Sequence, residues 1–291
     1  MAAETGFVRI VLAGGSAELR ERAAAEAFAA GALGAEEQDG PPPALWLYAA
    51  ASAAARVRAA LAPFALEIGP SEPVPERAWS EAWKEGLAAL VISEHLLVRP
   101  SFAPAPAGFV GRELVIDPGQ AFGTGGHAST RLALEAITAL PAAALAGVRV
   151  LDVGCGTGVL ALAALALGAA RAVACDLDPL ATAAAREAAL ANGLGARLAV
   201  FTGSVDALAP DAAFELVVAN LLRRELEPLL EAMAKATRPG GRVILSGLLA
   251  SERERVEPAL LALGLGVEAA QSAVDATGDV WLALRARPRE T

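Results

Sequence analysis

From residue 148 onward, short apolar runs alternate with longer stretches of helical length. Residues 148–152, 172–176, 198–201, 215–219 and 242–245 have the length and the mostly apolar character of buried strands. Residues 158–167, 179–192, 223–237 and 251–263 read as helices between or after them, and residues 280–284 add a closing strand. Regular alternation of this kind predicts an α/β domain with a doubly wound, mostly parallel sheet. Pro239, Gly240 and Gly241 form the turn into the fifth strand.

The first seventy residues follow a different rhythm. Residues 7–12, 35–38, 44–50 and 64–68 read as strands, and residues 17–30 and 53–62 as alanine-rich helices. The order βαββαβ predicts a small ferredoxin-like α+β domain over residues 1–72. Pro70, Pro73 and Pro75 then break the chain, and residues 76–90 read as a connecting helix within a linker at 73–92. Trp79 and Trp83 share one face of that helix and are expected to pack against a domain, with shaping the mouth of the site as the alternative. The segment 93–111 is proline-rich and reads as irregular, and the second domain is expected over residues 93–291.

The chemistry concentrates after the strand at 148–152. Residues 152–158 read Asp-Val-Gly-Cys-Gly-Thr-Gly, and Asp176 ends the next strand. A strand, a glycine loop, a helix and a second strand ending in a carboxylate make a nucleotide-binding βαβ unit. Gly154 and Gly156 let the backbone approach a ligand, and Asp176 is placed to accept hydrogen bonds from a ribose. The loop also fits a dinucleotide fingerprint loosely, through Gly156, Gly158 and Ala161. Asp152 argues for another ligand: a carboxylate at the mouth of the loop would repel a pyrophosphate and suit an ammonium group. S-adenosylmethionine has a ribose, an adenine and an ammonium and no phosphate, so it is the expected cofactor. A turn before a helix with no ligand is the bland alternative.

Composition narrows the partners. Among 24 basic residues only Lys84 and Lys235 are lysines, and the net charge is −9. Nucleic-acid binding, which needs clustered cations, is not expected. The N-terminus has no basic and apolar leader, and the uncharged run 153–170 reads as the glycine loop plus a buried helix. A cytoplasmic protein is expected. Cys155 and Cys175 read as small buried hydrophobes, and no metal-ligand spacing is present.

Upstream of the glycine loop lies Asp117-Pro-Gly-Gln-Ala-Phe-Gly-Thr-Gly-Gly-His127-Ala-Ser-Thr130. Its mobile, hydrogen-bonding composition suits a lid that orders on cofactor binding. This stretch resembles the signature of the bacterial methyltransferase family that modifies ribosomal protein eleven of the large subunit (PrmA). The resemblance extends to Trp79-Ser-Glu-Ala-Trp83-Lys84, to Arg99-Pro-Ser-Phe, to Val217-Val-Ala-Asn220-Leu-Leu and to Ser246-Gly-Leu-Leu. The chain departs at Gly126 and Ala128, where family members often carry Thr and Pro. The likeness is close over residues 77–290 and rests on element order alone in residues 1–70.

The resemblance implies a seven-stranded class I methyltransferase-type sheet, S-adenosylmethionine as methyl donor and a large-subunit ribosomal protein as substrate, with a monomer expected. Thr130, Gly154, Asp176 and Asn220 match the family's cofactor contacts, and Asp206 is either near the adenine amino group or a solvated loop charge. Asn220 is the expected acceptor for the target nitrogen, with capping of the following helix as its alternative role. His127 is a candidate base or loop-closing residue. The reaction would be in-line methyl transfer to a neutral amine of a lysine side chain or N-terminus. Free lysine titrates near ~10.4, so the site must take the amine unprotonated. Three rivals share parts of this pattern: a lysine methyltransferase with another protein substrate, a small-molecule methyltransferase, and a noncatalytic cofactor-binding module that docks on a ribosome.

Overall fold

The structure is a computed structural model that describes residues 6–38, 44–74, 88–117, 126–209, 211–275 and 277–289. The expected linker helix with its two tryptophans, and most of the expected lid, lie outside the described residues. The chain divides into two compact units, Met1–Gly86 and Leu87–Thr291.

The N-terminal unit is a four-stranded antiparallel sheet with two helices on one face. Its strands are β1 (Phe7–Ala13), β2 (Ala32–Gln38), β3 (Ala44–Ala50) and β4 (Glu67–Val74), in the order β2-β3-β1-β4. Alternate residues of β1 and β3 are buried, so Ile10, Leu12 and Leu47 meet Ala27, Val57 and Leu61 from the helices Ala17–Ala29 and Ala54–Leu61. On the opposite face the Arg9 guanidinium lies 4.2 Å over the Trp46 ring and 2.5 Å from Glu72. The last strand corrects the expectation from sequence. It runs through Pro70 and Pro73 instead of ending before them, because β4 is an edge strand and an edge tolerates residues without an N–H.

The second unit also departs from its predicted start. Residues 90–99 are a hairpin, β5 (Leu90–Ser93) and β6 (Leu96–Arg99), and β6 pairs in parallel with β7 (Arg112–Val115). Leu90, the expected end of the linker helix, instead begins β5, and the connection between β6 and β7 is irregular. The main sheet comprises β8 (Arg149–Val153), β9 (Arg171–Asp176), β10 (Leu198–Thr202), β11 (Phe214–Asn220), β12 (Thr237–Leu249), β13 (Leu265–Val274) and β14 (Val280–Pro288). Its order is β10-β9-β8-β11-β12-β14-β13, with the first five parallel and β14 antiparallel to both neighbours. β13 carries Gly266 and mostly polar or small residues, so it has no apolar signature in the sequence.

Two apolar layers cover the two faces of the sheet. The chain leaves β8 toward β9 and β10, then returns to β11 on its other side. That reversal opens a crevice at the C-terminal ends of β8 and β11, where ligands bind in open α/β sheets. No helix among the described residues is long and apolar enough to cross a membrane.

Candidate active site

The crevice holds a cleft of about 350 Å³, lined by residues that include His127, Thr130, Gly154, Gly156, Asp176 and Asn220. This size falls within the range of small-ligand sites. Its floor is the loop after β8. Gly154 has φ +68°, and a Cβ there would come within 2.4 Å of the Leu221 side chain. Gly158 has φ +74° and caps the helix Val159–Ala166, where a Cβ would sit 3.1 Å from that of Ala185. The glycines thus serve both close packing and access.

Asp176, at the end of β9, accepts from the Gly156 N–H at 2.9 Å through Oδ2 and from the Asp178 N–H at 3.0 Å through Oδ1. The two backbone bonds fix the carboxylate at the cleft wall and leave each oxygen a lone pair for another donor. Asn220, at the end of β11, donates from Nδ2 to Thr130 Oγ1 at 3.0 Å. Its Oδ1 is buried and accepts no hydrogen bond among the described residues. A buried acceptor of this kind at a cleft is held ready for a ligand donor. Thr130 lies at the start of the helix Ala128–Thr138, which His127 caps through Ser129 N at 3.3 Å.

Two expected site residues sit elsewhere. Asp152 is not at the mouth of the loop. It is buried beneath the loop, where Oδ2 accepts from Ala161 N at 2.9 Å in the first turn of the helix Val159–Ala166. Position 152 faces the helix side of β8, which sequence adjacency to the glycines does not reveal. Its effect on ligand choice changes form. A carboxyl group already takes one of the free N–H groups that a pyrophosphate would need at a helix N-terminus. Asp206 does not line the cleft either. It accepts from Ser204 Oγ at 2.7 Å and borders a separate surface depression with Leu208 and Lys235.

The cleft also contains Ser129 and Gly247, which lie within the motifs quoted above, and Glu225 and Trp281, which the sequence patterns did not single out. Trp281 is the second residue of the antiparallel strand β14, opposite Leu249 at the end of β12, so it enters the crevice from the C-terminal edge of the sheet. An aromatic at the start of a closing antiparallel strand is the signal that would have found it. Its ring meets that of His127 edge-on, 4.6 Å between centroids.

Burial pushes the Asp152 carboxyl up from 3.8 to about 7, and the neighbouring Asp176 adds to the effect. Burial likewise raises the Cys155 thiol well above its ordinary range and Cys175 to about 12, so both act as apolar filler. A carboxyl raised on folding stabilises the fold fully below its unfolded value, and that contribution is lost as pH rises toward about 7. Asp152→Asn removes this titration. Between about pH 5 and pH 8 the melting temperature of the wild type should fall relative to the variant by roughly 5 °C, since 1 kcal/mol moves a unit of this size by about 2–4 °C. Parallel melting curves for the two proteins across that window would show that Asp152 ionises normally.

The family model for ribosomal protein L11 methyltransferase (PrmA) matches residues 46–287. A ribosomal protein L11 methyltransferase of Sorangium cellulosum is 45% identical over 184 residues, 63% of this chain and 57% of the relative. That of Syntrophotalea carbinolica is 40% identical over 190 residues, 64% of this chain and 60% of the relative. The chain thus spans about three fifths of the length of these curated relatives. The crystal structure of a ribosomal protein L11 methylase from Lactobacillus delbrueckii subsp. bulgaricus, at 29% identity, superposes with a TM-score of 0.61 over 70% of this chain and all of that one. The sheet order is consistent with the class I methyltransferase fold. The family match takes in both strands of the crevice, the glycine loop, Asp176, Asn220 and Trp281, and most of the chain besides: the chain belongs to the ribosomal protein L11 methyltransferase (PrmA) family.

Proposed function

We propose that this protein transfers methyl groups from S-adenosylmethionine to amino groups of a large-subunit ribosomal protein, on lysine side chains, the N-terminus or both. The observation that carries the proposal is the Asn220 carboxamide, tied on one side by Thr130 and offering a buried, unpaired oxygen to the cleft. The names of the relatives point to the same substrate.

The cofactor fits the residues present. Asp176 would take the ribose hydroxyls, Gly154 and Gly156 would let the donor lie against the loop, and Thr130 and Asn220 would flank its amino-acid end. When bound, the cofactor supplies an electrophilic methyl group. The residues of the chain then have to align and select. Asn220 Oδ1 accepts an N–H from the incoming amine, which turns the nitrogen lone pair away from the carboxamide and toward the donor. The apolar lining beside Leu221 and Leu222 disfavours an ammonium, so the neutral amine is the form that stays. No residue is required to hold the departing proton, and His127 serves to cap and close the helix that carries Thr130.

The N-terminal unit has the strand order of ferredoxin-like domains and is assigned to substrate recognition. The protein is read as a cytoplasmic monomer, and its net charge of −9 disfavours contact with nucleic acid. Calorimetry tests the cofactor. Asp176→Ala should weaken S-adenosylmethionine by about 1–3 kcal/mol, the loss of a charged hydrogen-bond acceptor. Tight NAD binding without heat from S-adenosylmethionine or S-adenosylhomocysteine would sink the reading. Labelled methyl transfer into a lysate, with the labelled band identified, separates a ribosomal substrate from another protein or a small molecule.

A further inference from the structure

The hairpin between β13 and β14 turns over residues 275–279, outside the elements that carry the cofactor motifs. One carboxylate organises it. Asp275 Oδ1 accepts from Thr277 N at 2.9 Å, Thr277 Oγ1 at 2.7 Å and Asp279 N at 3.0 Å. These three bonds reinforce a turn that the backbone also closes, from Asp275 N to Asp279 O and from Gly278 N to Asp275 O. Oδ2 makes the fourth bond, to the indole Nε1–H of Trp281, at 2.6 Å the shortest of the four. The two oxygens therefore have separate tasks. Hydrogen bonds from Thr277 and Trp281 hold the Asp275 carboxyl well below the usual carboxylate range, so the indole partner is ionised at neutral pH.

Trp281 is a wall of the cleft and stands edge-on to His127, whose Nδ1 lies 2.8 Å from Ser129 Oγ. Ser129 and Thr130 open the helix that orients Asn220. A contiguous chain of contacts thus runs from the hairpin tip to the helix beside the Asn220 oxygen. The chemistry gives the tip a purpose. A neutral amine reacts through its lone pair, and a free indole N–H in the cleft would donate to that lone pair. Bonded to Asp275, the indole has its one N–H occupied, and the ring that remains excludes water and tolerates the cationic product.

We infer that Asp275 is a positioning residue for amine methylation: it locks the Trp281 ring as the acceptor-side wall and withdraws the indole N–H from the reacting nitrogen. The inference rests on the methyltransferase reading above.

The test is a double-mutant cycle on the full chain, read as kcat and KM for the protein substrate, with cofactor Kd and melting temperature measured beside them. Asp275→Asn can keep the turn through its oxygen but offers the indole an amide N–H instead of an acceptor. It should lower kcat at least tenfold while cofactor Kd stays within twofold. In a Trp281→Phe background, which retains a ring and has no N–H, the same change should cost less than twofold. Thr277→Ala loosens the turn without touching the indole and should cost less than threefold, which covers the case of an unstable Asp275→Asn. Equal losses in both backgrounds, a Thr277→Ala loss as large as that of Asp275→Asn, or wild-type kcat in Asp275→Asn would each overturn the inference. A wild-type chain that methylates no amine fails the underlying reading instead.

Discussion

A chain beginning at Leu87 should bind S-adenosylmethionine like the full protein and lose at least a hundredfold in kcat/KM on the intact ribosomal protein. The two units have separate cores: Ile10, Leu12 and Leu47 in one, the two layers around the seven-stranded sheet in the other. Every cleft residue belongs to the second unit. Removing the first should leave the cleft intact and remove the tether that raises the local concentration of substrate amines, an effect of about 10²–10⁴ for linked sites. Cofactor calorimetry and methylation rates on both chains decide it. Full methylation by the short chain would assign substrate grip to the catalytic unit alone. A short chain blind to cofactor would mean that the first unit holds the second in shape.

Asn220→Ala should lower kcat by about 10²–10³, the usual cost of deleting one preorganised polar group at a reacting centre. Cofactor affinity should change by no more than about tenfold, near 1.4 kcal/mol, because Asp176 and the loop remain. Thr130→Val tests the orientation of the amide. Without its Oγ1 partner the Asn220 side chain is free to turn its N–H groups into the cleft, so kcat should drop, and Thr130→Ser should restore it. Asn220→Asp keeps an acceptor but adds negative charge, which favours the protonated amine, so its activity should survive only at more alkaline pH. Wild-type kcat in Asn220→Ala would return the residue to a helix-capping role.

The parallel strands were legible because both of their faces are buried, and continuous apolar runs such as 216–219 leave little ambiguity. The edges were not. β4 hides behind Pro70 and Pro73, which read as breakers and are tolerated on an outer strand. β6 is a four-residue strand followed by a proline-rich connection, too short for its pattern to outweigh its surroundings. In the site, residues placed by backbone geometry at strand ends were found: Gly154, Asp176 and Asn220 all reach the cleft. Residues whose role depends on side-chain direction were not. Asp152 precedes the loop in sequence yet points beneath it, and Trp281 reaches the cleft only because β14 runs against its neighbours.

The helix Val159–Ala166 has consequences for how the site fluctuates. It is buried from Val159 to Leu165, with Asp152 bonded into its first turn. At its other end the Arg197 guanidinium donates to Leu165 O at 2.8 Å and to Ala169 O, a cation where the helix dipole favours one. Such a segment has no partial opening available to it: exposing its amides means dismantling the unit, so its opening free energy approaches that of global unfolding. The floor of the cleft is therefore tied to the most stable part of the unit. The loop after β8 leads straight into this helix through Gly158, so the floor of the cleft keeps its geometry while exposed parts of the unit fluctuate.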